Sequence, residues 1–295
     1  MNGENLGDFS MTEEERKNCF FIDTHAHLDG EEFDEDRDEV VRRAQEAGVG
    51  KVFVPAINLP SVKTVLDTCA RYPGFAFPMI GLHPEDVKED WRQVLAQMKA
   101  MLYGQTTEGE VLPSSLSGQP VENRQPFIAI GEVGLDYYWS REFEKEQLEA
   151  FEEQVKWSFE TQLPLMIHCR KAQNEMVHLL RNYERELPGG VFHCFTGNEK
   201  EAAVLLHFER FVLGIGGVLT FKKSHLPEVL KTIPLNRIVL ETDSPYMAPV
   251  PMRGKRNESA FVRYVMERVA ECYQVETEAV ALQTNQNVER VFHIH

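Results

Sequence analysis

Short apolar segments alternate with amphipathic ones along most of the chain. The apolar segments are rich in β-branched and aromatic residues, a composition typical of buried strands. We predict eight such strands, at residues 20–27, 51–57, 75–83, 127–136, 164–168, 190–193, 211–218 and 237–243. Most of the segments between them carry apolar residues at helical spacing. The predicted helices lie at residues 35–47, 61–72, 90–103, 172–186, 199–209, 259–273 and 277–291, with a long one ending at Gln162.

This alternation predicts an α/β protein built as a parallel (β/α)8 barrel, the TIM barrel. An open, doubly wound sheet is the alternative, but no glycine-rich dinucleotide-binding motif follows a strand. Residues 19–295 suit a single barrel domain, and the polar residues 1–18 are expected to form a flexible tail. Residues 104–125 lack apolar periodicity and are rich in turn-forming residues. We expect them to form a loop insertion on the barrel face opposite the C-terminal ends of the strands.

Charge and cysteine usage narrow the class of protein. The chain carries 31 basic and 47 acidic residues, a formal net charge of −16. Such a charge argues against non-specific wrapping of nucleic acid, which depends on many basic contacts to phosphates. The five cysteines show no CxxC spacing, as expected of free thiols in a reducing compartment. With no apolar run that suggests a secretory signal or a membrane span, we expect an intracellular protein of the cytoplasm, the nucleus or both. We predict no membrane association and no obligate protein partner.

Six residues of metal-binding type end the predicted strands: His25, His27, Glu132, His168, His193 and Asp243. The first two are separated by one residue, so in an extended strand their side chains point to the same side. The C-terminal ends of parallel strands meet at one rim of a barrel, where barrel enzymes hold their catalytic groups. Four imidazoles and two carboxylates at that rim predict an open site for one or two divalent ions.

Three further residues near the strand ends could be confused with ligands. Cys169 and Cys194 directly follow two of the histidines, so strand alternation should aim them away from the barrel axis. His83 ends the third strand on the same rim. It could ligate a metal, but the other six residues already supply enough ligands. A rim position or a contact to a substrate phosphate is therefore preferred for His83.

Seven short motifs follow one another in the chain: FIDTHAHLD from residue 21, GLHP from 81, GEVGLDY from 131, IHCR from 167, FHCFTG from 192, ETDSPY from 241 and RGKRN from 253. Together they resemble the TatD family of metal-dependent deoxyribonucleases, within the amidohydrolase-like barrels, over residues 20–292. The resemblance is nearest to the eukaryotic TatD-domain proteins. It implies the same six metal ligands. Related hydrolases of the phosphotriesterase and dihydroorotase kind usually carry a carboxylated lysine where Glu132 stands, so Glu132 favours TatD.

The resemblance implies hydrolysis of DNA phosphodiester bonds, as a 3′→5′ exonuclease, an abasic-site endonuclease or both. The substrate would be single-stranded DNA or the ends of a duplex. One or two divalent ions would activate a water. Glu132 would bridge them, and Asp243 would orient that water and accept its proton. The family implies Mg²⁺ or Mn²⁺, whereas imidazole ligands also suit Zn²⁺, Co²⁺ or Ni²⁺.

Basic side chains on loops of the catalytic face are candidates for binding substrate phosphates. Arg170 follows strand five and Arg253 follows strand eight, whereas Lys171 and Lys255 are equally well explained as solvated surface charges. Two other functions stay open. A metallohydrolase of a small amide, lactone or phosphoester is favoured by the acidic charge, and the complete ligand set speaks against a non-catalytic metal-binding protein.

Overall fold

A computed structural model describes residues 20–104 and 126–294. The predicted tail, residues 1–18, lies outside the described residues, as does the predicted insertion except for Gly104. The strands are β1 Phe21–Asp23, β2 Val49–Pro55, β3 Ala76–Ile80, β4 Ala129–Asp136, β5 Leu165–Arg170, β6 Gly190–Phe192, β7 Phe211–Ile215 and β8 Ile238–Leu240. All neighbouring strands are parallel, and their order in the sheet is the order of the chain.

Helices connect successive strands and cover the outside of the sheet. They are α1 Arg37–Glu46, α2 Leu59–Arg71, α3 Trp91–Leu102, α4 Glu144–Thr161, α5 Gln173–Arg181, α6 Glu199–Leu206, α7 Leu226–Leu230, α8 Val262–Tyr273 and α9 Thr277–Phe292. Several are shorter than the sequence predicts; α5, for example, ends at Arg181 rather than at residue 186. None of the helices within residues 20–104 and 126–294 is long and apolar enough to cross a membrane.

The sheet closes where β8 returns to β1. The amide of Thr24 donates a hydrogen bond to the carbonyl of Leu240 at 3.0 Å, and the amide of Asp243 donates to that of His25 at 2.9 Å. The buried carboxylate of Asp23 accepts hydrogen bonds from the amide of Thr242 at 2.9 Å and from its hydroxyl at 2.6 Å. Burial raises the pKa of Asp23 to about 7, against the effect of these hydrogen bonds. The predicted (β/α)8 barrel is therefore confirmed.

An apolar layer fills the lower half of the barrel interior. Each strand contributes one buried side chain to it: Ile22, Phe53, Met79, Ala129, Met166, Val191, Val212 and Val239. The last helix, α9, closes this layer from below with Val288, Val291 and Phe292. The rings of Phe53 and Phe292 meet edge to face with centroids 4.8 Å apart. One side chain per strand at the same height is the layered packing expected of a filled barrel.

A second and larger apolar cluster lies between the sheet and the helices. The strand residues next to those of the apolar layer belong to it, among them Ile130, Leu165, Ile167 and Phe192. This alternation between inside and outside positions is the period of two that buried parallel strands show. Cys169 also packs against the outer cluster, as predicted, because it follows an inward-facing residue on β5. The same alternation carries polar side chains into the barrel above the apolar layer.

Candidate metal centre

The six predicted ligands converge at the C-terminal mouth of the barrel, together with His83, and we call these seven residues the metal centre. The strands end at different heights beneath them. β1, β3, β6 and β8 stop one to four residues before their polar side chains, whereas β4 and β5 run beyond theirs. β4 ends at Asp136, as the predicted strand 127–136 does, so Glu132 lies within its strand and not at the end of it. The prediction that strand five ends at His168 was wrong: β5 continues to Arg170, because β4 and β5 stay paired above the rim.

The carboxylate of Glu132 lies at the middle of the metal centre, with different histidines at its two oxygens. Oε2 is 3.2 Å from Nε2 of His25 and 3.7 Å from Nε2 of His27. Oε1 is 2.9 Å from Nε2 of His193 and 3.1 Å from Nδ1 of His168. Only 4% of the Glu132 side chain is exposed. One buried carboxylate thus separates the imidazoles into two groups.

A bulge in β4 turns Glu132 into the barrel. The register between β4 and β5 shifts between Ile130 and Val133, which are three residues apart and yet both pack outside the sheet. An extra residue in the strand reverses the alternation after it. Without the bulge, Glu132 would face the helices. Gly134 allows the close approach that follows, since its φ is +142° and a Cβ there would lie 1.9 Å from the carbonyl oxygen of His168.

Asp243 completes one of the two groups from the opposite wall. Its Oδ1 is 3.8 Å from Nε2 of His25 and 3.7 Å from Nε2 of His27. Its backbone has a φ of 56°, a left-handed conformation that Asp tolerates better than most residues. The side chain is 17% exposed, so it faces the open mouth more than Glu132 does. Asp243 is therefore the carboxylate of the centre that solvent can reach.

Two further carboxylates, which sequence reasoning did not select, contact the outer nitrogens of the histidines. Oδ2 of Asp136 is 2.8 Å from Nε2 of His168. Oε1 of Glu241 is 3.5 Å from Nδ1 of His193 and accepts a hydrogen bond from the amide of Cys194. Carboxylates in this position commonly fix the tautomer and orientation of a metal-binding histidine. Asp136 ends β4 and Glu241 directly follows β8, so both lie within four residues of a predicted ligand in the sequence, which was the available signal.

His83 lies at the edge of the metal centre and differs from the other histidines there in its hydrogen bonds. Its Nδ1 accepts a hydrogen bond from the amide of Glu85 at 3.2 Å, so in the neutral ring Nε2 carries the proton. That Nε2 is 3.4 Å from Oε1 of Glu132. A protonated nitrogen donates a hydrogen bond and cannot ligate a metal. Although the position of His83 is also compatible with a metal ligand, its tautomer favours a donor to an anionic oxygen.

Burial and crowding shift the pKa values of the centre in opposite directions. Burial lowers the pKa of His25 to about 3 and raises that of Asp243 to about 7. Burial alone would lower the pKa of His193, but the Glu132 and Glu241 carboxylates outweigh it and hold the pKa well above the usual value. Burial alone would also raise the pKa of Glu132, but neighbouring imidazoles keep it well below the usual range.

The centre has the chemistry of a divalent metal site. Three groups of side chains place potential ligand atoms within 4.8 Å of one another: His25, His27 and Glu132; His25, His193 and Asp243; and His83, Glu132 and His168. Both ring nitrogens of His25 are buried, and neither has a hydrogen-bond partner among the described residues. In neutral His168, Nε2 carries the proton and donates a hydrogen bond to Asp136. The lone pair on Nδ1 of His168 therefore faces Oε1 of Glu132 at 3.1 Å. Electron-rich atoms at this distance need a shared proton or cation, and the donor set fits a metal ion.

The other predicted site residues lie around the mouth. The guanidinium of Arg170 lies 3.6 Å above the ring of Tyr138. Arg253 packs over Phe221 at 4.1 Å and donates a hydrogen bond to the carbonyl of Ala248. Cys194 follows the end of β6 with a φ of 48°, so the alternation used to aim it outward does not apply there.

Sequence and structure comparisons place the chain in one family. The profile of TatD-related DNases matches residues 22–293. YabD of Bacillus subtilis, described as an uncharacterized metal-dependent hydrolase, is 35% identical over 275 residues, which cover 93% of this chain and 99% of YabD. A Klebsiella pneumoniae protein described as the 3′-5′ ssDNA/RNA exonuclease TatD is 31% identical over 278 residues, 92% of this chain and 98% of that protein.

A solved structure shares the architecture. The TatD homologue YjjV of Escherichia coli superposes with a TM-score of 0.81 at 26% identity, over 94% of this chain and 100% of YjjV. The matched residues include all seven residues of the metal centre. The chain therefore belongs to the TatD family of metal-dependent hydrolases, which act on ester bonds.

Proposed function

We propose that this protein is a metal-dependent deoxyribonuclease that hydrolyses DNA phosphodiester bonds. Its action would be that of a 3′→5′ exonuclease, an abasic-site endonuclease or both. The observation that carries the proposal is the position of Glu132, whose two oxygens face separate groups of imidazoles. A carboxylate in that position can bridge two ions that act on one phosphate. Relatives described as TatD exonucleases support the same chemistry.

The ligands divide between two ion positions. His25, His27 and Asp243 would hold one ion with Oε2 of Glu132, and His168 and His193 would hold the other with Oε1. Bound divalent ions supply positive charge against the phosphoryl oxygens and lower the pKa of a bound water. The family implies Mg²⁺ or Mn²⁺, and the imidazoles also suit Zn²⁺, Co²⁺ or Ni²⁺.

Side chains of the chain supply the remaining functions. Asp243, the more exposed of the two central carboxylates, would orient the attacking water and accept its proton. Asp136 and Glu241 would hold the rings of His168 and His193 in place. The Nε2–H of His83 would donate to an oxygen of the substrate phosphate. Arg170 would bind a neighbouring phosphate, whereas the contacts of Arg253 with Phe221 and Ala248 favour a role in ordering its loop.

The test is a nuclease assay with defined metals. Purified protein is incubated with single-stranded DNA labelled at either end, and with a duplex that contains one abasic site, in Mg²⁺, Mn²⁺ or Zn²⁺. We expect metal-dependent shortening from the 3′ end, nicking at the abasic site or both. His25→Ala should abolish the reaction because His25 is buried against both carboxylates.

His207→Ala is the matched control, since His207 lies exposed at the end of α6, far from the strand C-termini. It should cleave DNA at the wild-type rate. Intact DNA in every metal, together with hydrolysis of a small phosphoester, lactone or amide, would instead identify a small-molecule metallohydrolase. Metal binding without hydrolysis of any of these substrates would identify a non-catalytic protein.

A further inference from the structure

A group of exposed aromatic residues follows β4 at the rim of the metal centre. Trp139 is 68% exposed and Tyr138 is 49% exposed, the former the most exposed large apolar side chain in the described part of the chain. Their rings meet edge to face with centroids 4.8 Å apart. Exposed aromatic side chains that lie together in one patch often mark a binding site. Their position at a catalytic mouth suggests that the interaction is with substrate.

An arginine completes this group. The guanidinium of Arg170 lies 3.6 Å from the ring of Tyr138 and 5.3 Å from that of Trp139. Within residues 20–104 and 126–294, this guanidinium has no hydrogen-bond or ion-pair partner, so its donors are available to a ligand. In a chain with a net charge of −16, a free arginine beside exposed rings indicates an anionic and aromatic ligand. We call Tyr138, Trp139 and Arg170 the aromatic platform.

The aromatic platform is joined to the metal centre through one side chain. Oδ2 of Asp136 contacts Nε2 of His168 at 2.8 Å, and its Oδ1 accepts a hydrogen bond from the amide of Tyr138 at 2.8 Å. Asp136 also pairs with Arg170 in the register of β4 and β5, and the amide of Tyr137 donates to the Arg170 carbonyl at 2.9 Å. The platform therefore stands on the part of the β4–β5 pair that rises above the rim, at a fixed position relative to His168.

We propose that the aromatic platform binds an unpaired nucleobase of the substrate next to the scissile phosphate. The base stacks on Trp139 and Tyr138, and Arg170 pairs with the phosphate attached to that nucleotide. Stacking of bases on aromatic side chains tolerates any sequence, since every base has a π face. A base inside a duplex has both faces covered by its neighbours and cannot use the platform. The inference rests on the proposed nuclease function and adds a base-binding subsite to it.

Another exposed aromatic residue lies on the opposite side of the centre but is less suitable for a test. Tyr246 is 56% exposed, and its ring lies 6.1 Å from that of His27. Its replacement would disturb a predicted metal ligand as well as any base contact. Among the described residues, the ring of Trp139 contacts Tyr138 and Arg170 and no residue of the metal centre, so its replacement leaves the predicted ligands in place.

The first experiment compares steady-state cleavage of single-stranded DNA by the wild type, Trp139→Ala and Tyr103→Ala. Tyr103 is 49% exposed at the end of α3, on the opposite face of the barrel, and is the matched control. Loss of one stacked base should raise KM roughly 5- to 100-fold, with kcat nearly unchanged. Tyr103→Ala should match the wild type.

A base-free oligomer of deoxyribose phosphates separates base binding from general damage. It carries the backbone charge of DNA but has nothing to stack, so Trp139→Ala and the wild type should bind it equally. An equal loss of affinity for DNA and for the base-free oligomer would overturn the proposal. Wild-type KM values for DNA in Trp139→Ala would overturn it as well, while leaving the nuclease function intact.

A second experiment does not depend on catalysis. The three tryptophans are Trp91, Trp139 and Trp157, of which the first and last are 6% and 0% exposed. A nuclease-resistant phosphorothioate single strand should therefore quench mainly the emission of Trp139. Trp139→Phe should lose the quenching but keep the affinity, because phenylalanine can still stack. Quenching by a protein that cleaves no nucleic acid would support the platform and refute the nuclease function; binding without quenching would refute the platform.

Discussion

The two halves of the barrel interior follow opposite rules. In the lower half, every strand contributes one apolar side chain, and α9 closes the layer from below. In the upper half, imidazoles and carboxylates crowd together, and within residues 20–104 and 126–294 neither ring nitrogen of His25 has a hydrogen-bond partner. Buried apolar surface stabilises a fold, whereas buried polar groups without partners destabilise it. The apolar layer therefore stabilises the fold. The metal centre is arranged to bind ions and destabilises the fold when no ion is bound.

The strongest way to test this division is to change the central carboxylate. Glu132→Gln keeps the shape of the side chain but removes the charge that faces both groups of histidines. We expect kcat/KM to fall by at least about 10³-fold, because metal charge stabilisation contributes several kcal/mol. The free energy of unfolding without metal should not fall. Activity, metal content by mass spectrometry and circular dichroism check these outcomes.

Glu209→Gln is the control, because Glu209 is an exposed glutamate after α6. It should retain full activity and metal content. If Glu132→Gln bound metal at the wild-type stoichiometry and stayed active, Glu132 would not be a bridging ligand.

The converse change removes a ring from the apolar layer. Phe53 is fully buried and contacts Phe77 and Phe292. Phe53→Ala should lower the free energy of unfolding by about 3–5 kcal/mol, the usual effect of such a cavity. The folded fraction should keep the wild-type kcat, since the layer lies below the ligands. Urea denaturation and activity at low temperature measure the two effects.

Val204→Ala provides the surface comparison, because Val204 is 40% exposed on α6. Its effect on unfolding should stay within about 0.5 kcal/mol. A loss of kcat in Phe53→Ala beyond its unfolded fraction would show that the two halves are coupled.

Metal binding should stabilise the folded chain through the ligands of the upper half. An ion at about 100 times its dissociation constant adds about 2.7 kcal/mol, which corresponds to a rise in Tm of roughly 4–5 °C for a chain of 295 residues. The same rise should occur in Phe53→Ala from a lower starting Tm, and it should be lost in Glu132→Gln. The rise should shrink as the pH falls from 7 to 5, because protons compete with the ion for His168 and His193, whose pKa values the neighbouring carboxylates raise. Thermal unfolding with and without a chelator measures it.

Equal rises in Tm for the wild type and Glu132→Gln would place the ions elsewhere in the chain. A rise that grows toward pH 5 would likewise exclude imidazole ligands.

The sequence predicted the lower half of the barrel better than the upper half. Strands such as β7 are recognisable from local composition, and the alternation that places Val212 inside and Leu213 outside is a short-range property. The six convergent side chains were also predicted, because parallel strands bring their C-terminal ends to one rim. Glu132 was placed on the correct rim for an incorrect reason, since it lies within β4 and a bulge turns it inward.

The features that were missed depend on register and backbone geometry. Asp136 contacts His168 because Gly134 pairs with His168 in the register of β4 and β5, and no pattern in either strand shows that pairing. Glu241 reaches His193 only because β8 lies two strands from β6 around a closed barrel. The aromatic platform depends on the same β4–β5 pairing, which brings Arg170 to Tyr138.

The smallest expected effect concerns the contact between Asp136, at the end of β4, and His168 of the metal centre. The carboxylate of Asp136 accepts two hydrogen bonds, from Nε2 of His168 and from the amide of Tyr138. Asn at position 136 offers one acceptor oxygen, and its NH₂ group would favour the other tautomer of His168, with the proton on Nδ1. Asp136→Asn should therefore weaken metal binding about 10- to 100-fold, the usual effect of losing such a carboxylate.

Saturating metal should restore most of the activity of Asp136→Asn, because the ligand itself is still present. Metal titrations of activity check this, with Asp34→Asn as the control, since the Asp34 side chain is 64% exposed on the loop before α1. Activity that stays low at every metal concentration would show that Asp136 acts on the reaction itself. An unchanged metal affinity would mean that the tautomer of His168 is fixed without Asp136. The part of the β4–β5 pair above the rim would then serve the aromatic platform alone.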